Sequence, residues 1–422
     1  MTLHESRITG IIAEYNPFHN GHLYQMRKAR CDAGASWCIV LLSGSFVQRG
    51  EAAVYSTRAR AEAALRCGAD AVFEIPAPFS TSSARDYAGY GIRLLTGLGV
   101  SSISCGTEDA SPEELQLLAD AADETSGHFR RRLREAVRSG LTYPEARMEA
   151  LAACFREAGA AEGTVARIRS ILSKPNNILA FEYARALRES GAPAKLFTTF
   201  RKGSGYHDPV LRGSFSSATA LRQELLSSGD LSALRVFMPS AAAETFSGTV
   251  PLSPDLFCRP VRDRILTLRH EGRDFSEFAD VSLDLSDRLN RAELRFSSWE
   301  ELVNSVKTRQ YTHTRISRAL THILLDITDE DLRAWKSDPS SLPARLLGFR
   351  RDSEAVLSAL KASSSIPMIS KAADAPALLG TGSPALRLMD KEAYARDLWN
   401  SAFFERYGTR LPDYWREQIV IV

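Results

Sequence analysis

Apolar runs and amphipathic runs alternate through the first hundred residues of this 422-residue chain. Short apolar runs at 8–13, 37–43, 71–75 and 101–105 predict buried strands. The intervening segments 21–33, 57–67 and 84–98 have the pattern of helices. Because strands alternate with helices, the sequence predicts a parallel sheet with helices on both faces.

The remainder of the chain changes character twice. Residues 111–192 predict mostly helices, 195–200 one more strand and 217–227 one more helix, whereas the prolines and serines of 238–255 predict a linker or a long loop. The pattern beyond it predicts helices at 256–271, 275–281, 284–291, 299–306 and 314–326, then a small α/β piece with strands at 344–349 and 367–370. We therefore expect an α/β domain at 1–238 and a mainly helical C-terminal domain at 256–422.

Candidate chemistry begins where the first predicted strand meets the first predicted helix, at the heptapeptide NPFHNGH of residues 16–22. A helix N-terminus offers free N–H groups and a positive dipole end to an anion. Gly21 allows close backbone approach, and His19 and His22 are candidate donors to phosphate oxygens. Metal binding is the alternative, disfavoured because zinc usually needs three or four ligands and no other histidine or cysteine lies nearby at suitable spacing.

Polar segments follow the other predicted strands, at the edge of a parallel sheet where ligands bind. The segment SGSFVQRGE at 43–51 is either an ordinary turn or a substrate contact through Gln48, Arg49 and Glu51. Gly106 would admit a base or ribose, and Glu108 either bonds hydroxyl groups or caps the next helix. Asn176 either caps a helix or recognises the edge of a nucleobase.

The segments 201–208 and 215–222 add positive charge and a second helix start. Arg201 and Lys202, with His207 beside Asp208, form a plausible phosphate clamp. Ser217 and Thr219 open a helix, so they predict a second N-terminal anion site, with Arg222 one turn further along. Two such helix starts in one α/β domain indicate that both converge on one polyphosphate.

Composition limits the partners and the compartment. The formal net charge is only +2, so any nucleic-acid surface must be a local patch. Residues 302–325 contain no acid, and they carry the candidate tRNA-binding residues Lys307, Arg309, Tyr311, Arg315 and Arg318. A basic helix packed on its neighbours is the alternative there, as is a solvated helix face for the arginine-rich segment 130–138. Six scattered cysteines without a CxxC pair, with no signal or membrane-length segment, predict a cytoplasmic protein.

The paired motifs HxGH at 19–22 and SSxTxxR at 216–222 resemble those of the HIGH-signature nucleotidyltransferase superfamily. The longer stretches GIIAEYNPFHNGHLY at 10–24 and SGSFVQRGE at 43–51 resemble the bacterial tRNA(Met) cytidine acetate ligase family, and the likeness extends to 307–325. The resemblance implies a Rossmann-like nucleotidyltransferase fold with a mainly helical C-terminal domain. It implies that acetate attacks the α-phosphate of ATP, and that the wobble cytidine of elongator tRNA(Met) then takes the acetyl group and releases AMP.

The resemblance also implies which residues act. His19, His22 and Arg201 would stabilise the transition state, Mg²⁺ would be carried by the nucleotide, and no residue is predicted to hold a metal. The implied ATP site consists of Ile12, Ala13, Glu14, Tyr15, Asn16, Pro17, Phe18, His19, Asn20, Gly21, His22, Leu23, Tyr24, Gln25, Gly106, Asn176 and Arg201, to which the clamp and helix-start arguments add Lys202, Ser217, Thr219 and Arg222.

The sequence departs from the family pattern in three places. Phe200 stands where a lysine often precedes the arginine, Ser216 replaces a common alanine, and 80–86 lacks a usual glutamine. Two other functions remain open. A small-molecule adenylyltransferase would need no basic helical region, and a non-catalytic RNA-binding protein would not need His19, His22 and Arg201.

Overall fold

A mixed sheet forms the centre of the protein, whose computed structural model describes residues 7–122, 127–201, 217–308 and 310–422. In this part of the chain the strands are β1 Ile8–Ala13, β2 Trp37–Ser43, β3 Phe46–Val47, β4 Glu51–Ala52, β5 Ala71–Ile75, β6 Ser102–Thr107, β7 Lys195–Phe200, β8 Ala344–Phe349, β9 Met368–Ile369 and β10 Val420–Ile421. Their order is β10-β8-β5-β2-β1-β6-β7, with β9 beside β8 and β3–β4 as a separate hairpin.

Helices cover the sheet. They are α1 Asn20–Asp32, α2 Thr57–Arg66, α3 Ala77–Ser80, α4 Ala84–Gly97, α5 Pro112–Ala121, α6 Gly127–Arg138, α7 Tyr143–Glu157, α8 Glu162–Leu172, α9 Pro175–Ser190, α10 Ala218–Ser228, α11 Ser240–Ser247, α12 Cys258–His270, α13 Leu283–Arg291, α14 Trp299–Val306, α15 His313–Leu324, α16 Asp329–Ser337, α17 Ala355–Ser363, α18 Ala375–Leu379 and α19 Pro384–Tyr407. Short 3-10 turns lie at Ser232–Phe237, Pro254–Phe257, Phe275–Glu277, Arg351–Ser353 and Ala372–Asp374. None of the helices in the described ranges combines the length and the apolar character that a membrane crossing requires.

Strands β1, β2, β5, β6 and β7 are mutually parallel, as the alternating pattern predicts. The central strands are buried on both faces, which explains their near-continuous apolar runs. Gly10 allows α4 to lie directly on β1, because a Cβ there would meet the Leu95 side chain at 2.6 Å. The carboxyl ends of these strands therefore share one edge of the sheet, where the candidate residues were expected.

The C-terminal strands do not form a sheet of their own. The predicted strands at 344–349 and 367–370 are present as β8 and β9, but β8 pairs antiparallel with β5, and β10 extends the same sheet through β8. The division into domains 1–238 and 256–422 stays a prediction. The predicted linker 238–255 instead contains α11, whose Phe246 ring stacks on Tyr55 at 4.4 Å. The helix predicted at 275–281 is only the 3-10 turn Phe275–Glu277.

Candidate active site

The corner between β1 and α1 is held by hydrogen bonds to two other parts of the chain. Tyr15 takes a left-handed backbone conformation with φ 46°, which turns the chain sharply after the strand. Asn16 accepts a hydrogen bond from the Val54 N–H through its side chain at 2.9 Å, and its carbonyl oxygen accepts one from Arg222 at 2.9 Å. The corner is thus fixed to the loop after β4 and to α10.

His19 and His22 cap α1 reciprocally. The Nδ1 atom of His19 accepts a hydrogen bond from the Gly21 N–H at 3.0 Å, and that of His22 accepts one from the His19 N–H at 3.2 Å. An accepting Nδ1 places the ring proton on Nε2 of a neutral imidazole. The two rings stack with centroids 3.7 Å apart. The cap therefore makes each histidine an Nε2–H donor.

Both imidazoles are held in the neutral state. Burial, with the nearby charges of Arg201 and Arg222, lowers the pKa of His19 to about 3. Burial, with His19 and Arg201, also lowers the pKa of His22 well below its usual value. The buried Nε2 of His19 has no hydrogen-bond partner among the described residues. An incoming anionic oxygen would supply that missing acceptor.

The free energy of unfolding is expected to decrease as the pH decreases, because of His19. Its pKa is about 3 when folded and 6.5 ordinarily, so between these values the unfolded chain binds more protons. The contribution is complete above pH 6.5 and is lost as the pH falls. At pH 5 the loss amounts to about 2 kcal/mol. Urea denaturation at pH 7.5 and 5.0 measures it, and the same decrease in His19→Asn and in the unmodified protein would contradict this assignment.

One cleft lies between the corner, the β3–β4 hairpin and the starts of α9 and α10. Fourteen of the predicted ATP-site residues line it: Ile12, Ala13, Glu14, Tyr15, Asn16, His19, His22, Gln25, Gly106, Asn176, Arg201, Ser217, Thr219 and Arg222. The structure therefore brings together residues from positions 12 to 222. Ser217 caps α10, accepting from the Ala220 N–H at 3.1 Å, so the second helix start faces the cleft as expected.

Six of the other predicted ATP-site residues lie outside the lining of the cleft. They are Pro17, Phe18, Asn20, Gly21, Leu23 and Tyr24. Phe18 is fully buried with its ring against Tyr15, and Asn20 donates to the Val236 carbonyl at 3.0 Å. A Cβ on Gly21 would lie 2.8 Å from the His19 ring, so this glycine allows the cap. Lys202 and the predicted clamp residues His207 and Asp208 lie outside the described residues.

Several lining residues were missed or left open. Tyr87, Cys105, Leu179, Tyr183 and Ala218 also line the cleft. Three of them come from helices α4 and α9. The sequence of these helices has the pattern of ordinary packing faces, so nothing in it distinguishes cleft-lining residues from core residues. Of the residues left open at 43–51, Gln48 and Arg49 line the cleft from the hairpin turn. Burial raises the pKa of the Glu51 carboxyl, which is not a lining group.

Glu108 connects β6 to the start of α9. Its carboxylate accepts hydrogen bonds from the backbone N–H groups of Asn176 and Asn177, at 3.1 and 2.8 Å. It also accepts from the Asn176 side-chain amide at 2.7 Å, and the amide oxygen in turn accepts from Arg201 at 3.2 Å. Asn176 is not the helix cap, which is Lys174. The arrangement makes Glu108 a positioning residue for Arg201 through Asn176.

With ATP as the substrate that the family resemblance implies, replacing Glu108 by glutamine is expected to lower kcat/KM for ATP about tenfold, since hydrogen bonds to a charged group contribute about 1.5–3 kcal/mol. Steady-state pyrophosphate release measures the effect. Glu114→Gln is the matched control, because Glu114 bonds Arg167 and Ser111 and has no bond to Asn176. Equal losses in the two variants would remove Glu108 from the positioning of Arg201.

The candidate tRNA-binding residues lie at and before α15. Lys307 is exposed, and the Arg315 guanidinium lies 4.8 Å from the Tyr311 ring. Arg318 is already engaged, donating to both Asp280 oxygens at 2.7 and 3.1 Å, with its side chain only 12% exposed. Arg309 lies outside the described residues. Ser317 and Thr321 of the same helix donate to the Gly50 carbonyl, at 2.8 and 2.7 Å, so α15 packs directly on the β3–β4 hairpin.

A buried ionic cluster links α19 to the strand ends. Arg396 donates to Glu74 at 2.9 Å, to Glu417 at 2.6 Å and to the Ser45 hydroxyl at 2.9 Å. Glu392 accepts from the backbone N–H groups of Ser45 and Ala77, at 3.0 and 2.7 Å. Burial, together with the charge of Glu74, raises the pKa of Glu392 to about 8. The cluster fixes the two loops that follow β2 and β5.

Known proteins resemble the chain over nearly its whole length. A family model described as HIGH Nucleotidyl Transferase matches residues 6–408. The tRNA(Met) cytidine acetate ligase of Acetivibrio thermocellus is 34% identical over 403 residues, covering 93% of this chain and 94% of that protein. The protein of the same name from Syntrophotalea carbinolica is 36% identical over 368 residues, covering 86% and 84%.

Solved structures show the same fold. Thermotoga maritima TmcAL bound with alpha-thio ATP superposes with a TM-score of 0.88 at 26% identity, covering 99% of this chain and 100% of that one. The apo form I of the same protein gives a TM-score of 0.90 at 27% identity, with the same coverage. The predicted Rossmann-like nucleotidyltransferase fold is confirmed by these superpositions.

Proposed function

Since the chain belongs to the tRNA(Met) cytidine acetate ligase family of HIGH nucleotidyltransferases, we propose that it activates acetate with ATP and acetylates the wobble cytidine of elongator tRNA(Met). The observation that carries the proposal is the pair of neutral Nε2–H donors on His19 and His22, in a cleft shared with Arg201 and Arg222. Neutral donors at a helix N-terminus, with two cations nearby, suit a polyphosphate.

In the first step, an acetate oxygen attacks the α-phosphorus of ATP, and the bond to the β-phosphate oxygen breaks to release pyrophosphate. The histidine donors would stabilise charge that develops on phosphate oxygens, while Arg201 and Arg222 would neutralise the leaving group. Such transfer depends on positioning more than on a covalent residue. Mg²⁺ would enter on the nucleotide phosphates and neutralise part of their charge, as is usual for this ion.

In the second step, the N4 amine of cytidine attacks the acetyl carbonyl carbon. The bond from that carbon to the AMP oxygen breaks, AMP leaves and the amine loses a proton. The amine must reach the cleft, which suits an unpaired base turned out of its stack. We propose that Lys307, Arg309, Tyr311 and Arg315 contact the RNA, whereas RNA contact by Arg318 would require its ion pair with Asp280 to open.

The proposal is tested by incubating the protein with ATP, labelled acetate and unmodified tRNA(Met), and following label into RNA. Label is expected in the RNA only when ATP and a wobble cytidine are both present, and a tRNA with uridine at that position is the control. Label in a small nucleotide product that never reaches RNA would indicate a small-molecule adenylyltransferase. Binding of tRNA without ATP consumption would indicate a non-catalytic RNA-binding protein.

A further inference from the structure

Helix α6 carries a stripe of arginines that the ATP site does not use. Five arginines and one glutamate lie in Gly127–Arg138, and Phe129 is its one buried residue among those described. Arg130, Arg134 and Arg138 are exposed and spaced four residues apart, so they lie on one face. Because a helix rises ~1.5 Å per residue, neighbouring arginines of the stripe are roughly 6 Å apart along the axis.

The half of this stripe nearer the end of α6, with Arg134 and Arg138, lacks carboxylate partners in the part of the chain that the structure describes. Arg132 pairs with Glu135 and Glu157, but neither Arg134 nor Arg138 has a carboxylate within ion-pair distance among the residues that the structure describes. Like charges four residues apart destabilise a helix by about 0.2–0.5 kcal/mol per pair. An ordinary solvated helix face usually interleaves acids with its bases, so this face is better suited to an external polyanion.

The contacts of α7 and α8 show which way the stripe points. Arg169 of α8 bonds Glu149 of α7 at 2.9 Å, whereas Arg156 bonds Glu162 at 2.9 Å at the opposite ends. The two helices are therefore antiparallel, and the start of α7 lies toward the end of α8. That end leads into α9, whose Asn176 lines the cleft.

Helix α6 completes this arrangement. His128 at its start bonds Glu157 at the end of α7, at 2.8 Å, so α6 runs toward the cleft end of the helical layer. Arg138 and the following turn therefore lie at that end. Two large side chains are exposed beside it, Leu141 at 37% and Tyr143 at 44%. The row of arginine side chains on α6 is thus followed, at its cleft end, by the exposed side chains of Leu141 and Tyr143.

We propose that Arg130, Arg134 and Arg138 form an RNA-binding stripe, distinct from the region around α15, that binds backbone phosphates of the tRNA. Tyr143, at its cleft end, would stack on an unpaired base. This inference rests on the proposed function, since it assumes a tRNA substrate. The positive charge of the stripe and the regular spacing of its arginines along the helix axis favour RNA over a compact anionic ligand, because RNA phosphates repeat along a line.

The test compares Arg134→Ala/Arg138→Ala with Arg333→Ala/Arg416→Ala in the full chain. The control removes the same charge from exposed arginines that pair with Asp329 and Asp413. Fluorescently labelled tRNA(Met) is titrated at several salt concentrations. Each lost phosphate contact lowers the salt slope by about 0.7–0.9, so two lost contacts weaken binding roughly 20- to 60-fold at 0.1 M salt. Acetate-dependent pyrophosphate exchange without tRNA is expected to stay unchanged.

Two further measurements separate the possible failures. Arg134→Lys/Arg138→Lys keeps the charge and is expected to restore most of the salt slope. Suppose that the unmodified protein acetylates tRNA(Met), but the alanine variant keeps its salt slope or the control variant loses as much tRNA affinity. The stripe is then not an RNA-binding site, while the proposed function stands. If the unmodified protein transfers no acetyl group to tRNA, the proposed function fails, and the inference fails with it.

Discussion

Replacing His19 by asparagine is expected to slow acetate activation about 100- to 1,000-fold, the usual effect of removing one preorganised donor to a developing negative charge. The asparagine side-chain oxygen occupies roughly the place of Nδ1, so it can still accept from the Gly21 N–H and keep α1 capped. What it removes is the Nε2–H group in the cleft wall. His22→Asn follows the same logic.

The measurement is acetate-dependent exchange of labelled pyrophosphate into ATP, without tRNA. His270→Asn, at the exposed end of α12, is the matched control and should keep full exchange. Affinity for tRNA should remain nearly unchanged in both histidine variants. His19→Ala should lose in addition about 0.5–2 kcal/mol of stability, because the cap is gone. Normal exchange combined with lost tRNA binding would refute the role assigned to these histidines.

Replacing Arg396 by leucine is expected to destabilise the protein by about 3–5 kcal/mol, the typical result of removing one partner from a buried ion pair. The Arg396 side chain is 3% exposed, and it makes the shortest ion pairs of the buried carboxylates Glu74 and Glu417. Its removal leaves them only the longer contacts with Arg345, at 3.5 and 3.7 Å. Arg416→Leu is the control, since that side chain is 87% exposed and its pairing with Asp413 contributes little.

The same variant tests the predicted domain division. Arg396 belongs to the predicted C-terminal domain, whereas Glu74 and Ser45 belong to the predicted N-terminal one. We expect one cooperative unfolding transition, shifted as a whole in denaturant and seen alike by fluorescence and circular dichroism. Two transitions, of which only one shifts, would instead support two domains that unfold independently. A stability equal to that of the Arg416→Leu control would contradict the importance of the cluster.

Local pattern predicted the elements well. The strands at 8–13, 37–43, 71–75 and 195–200 were predicted at their observed bounds. At 37–43 and 71–75 the reason is burial on both faces, which requires a nearly continuous apolar run. The pairing of β8 with β5 was not predictable. It joins Ala71 to Phe349, and nothing in a short apolar run specifies a partner so distant in the chain. The hairpin β3–β4 was interpreted as a turn or a substrate contact for a different reason, because strands of two residues are too short to show an alternating pattern.

The part of the candidate site that lies within one short segment was predictable from the sequence. The part that depends on contacts between residues far apart in the chain was not. The strand–helix corner placed His19 and His22 beside the expected anion site, but their protonation state follows from the reciprocal cap and from burial. The sequence leaves Glu108 two possible roles, bonding hydroxyl groups or capping the next helix, whereas in the structure it bonds the start of α9. Its bonds reach Asn176 across 68 positions, a distance at which spacing carries no information.

The buried cluster around Arg396 has a consequence for how the protein is made. Glu74 and Arg396 are separated by 322 positions, which a ribosome adding 5–20 residues per second covers in roughly 16 to 64 s. Throughout that interval the nascent chain holds the loops after β2 and β5 without the helix that fixes them. The loops after β2 and β5 can therefore reach their final bonded arrangement only after α19 has been synthesised, when most of the chain has already left the ribosome's active site.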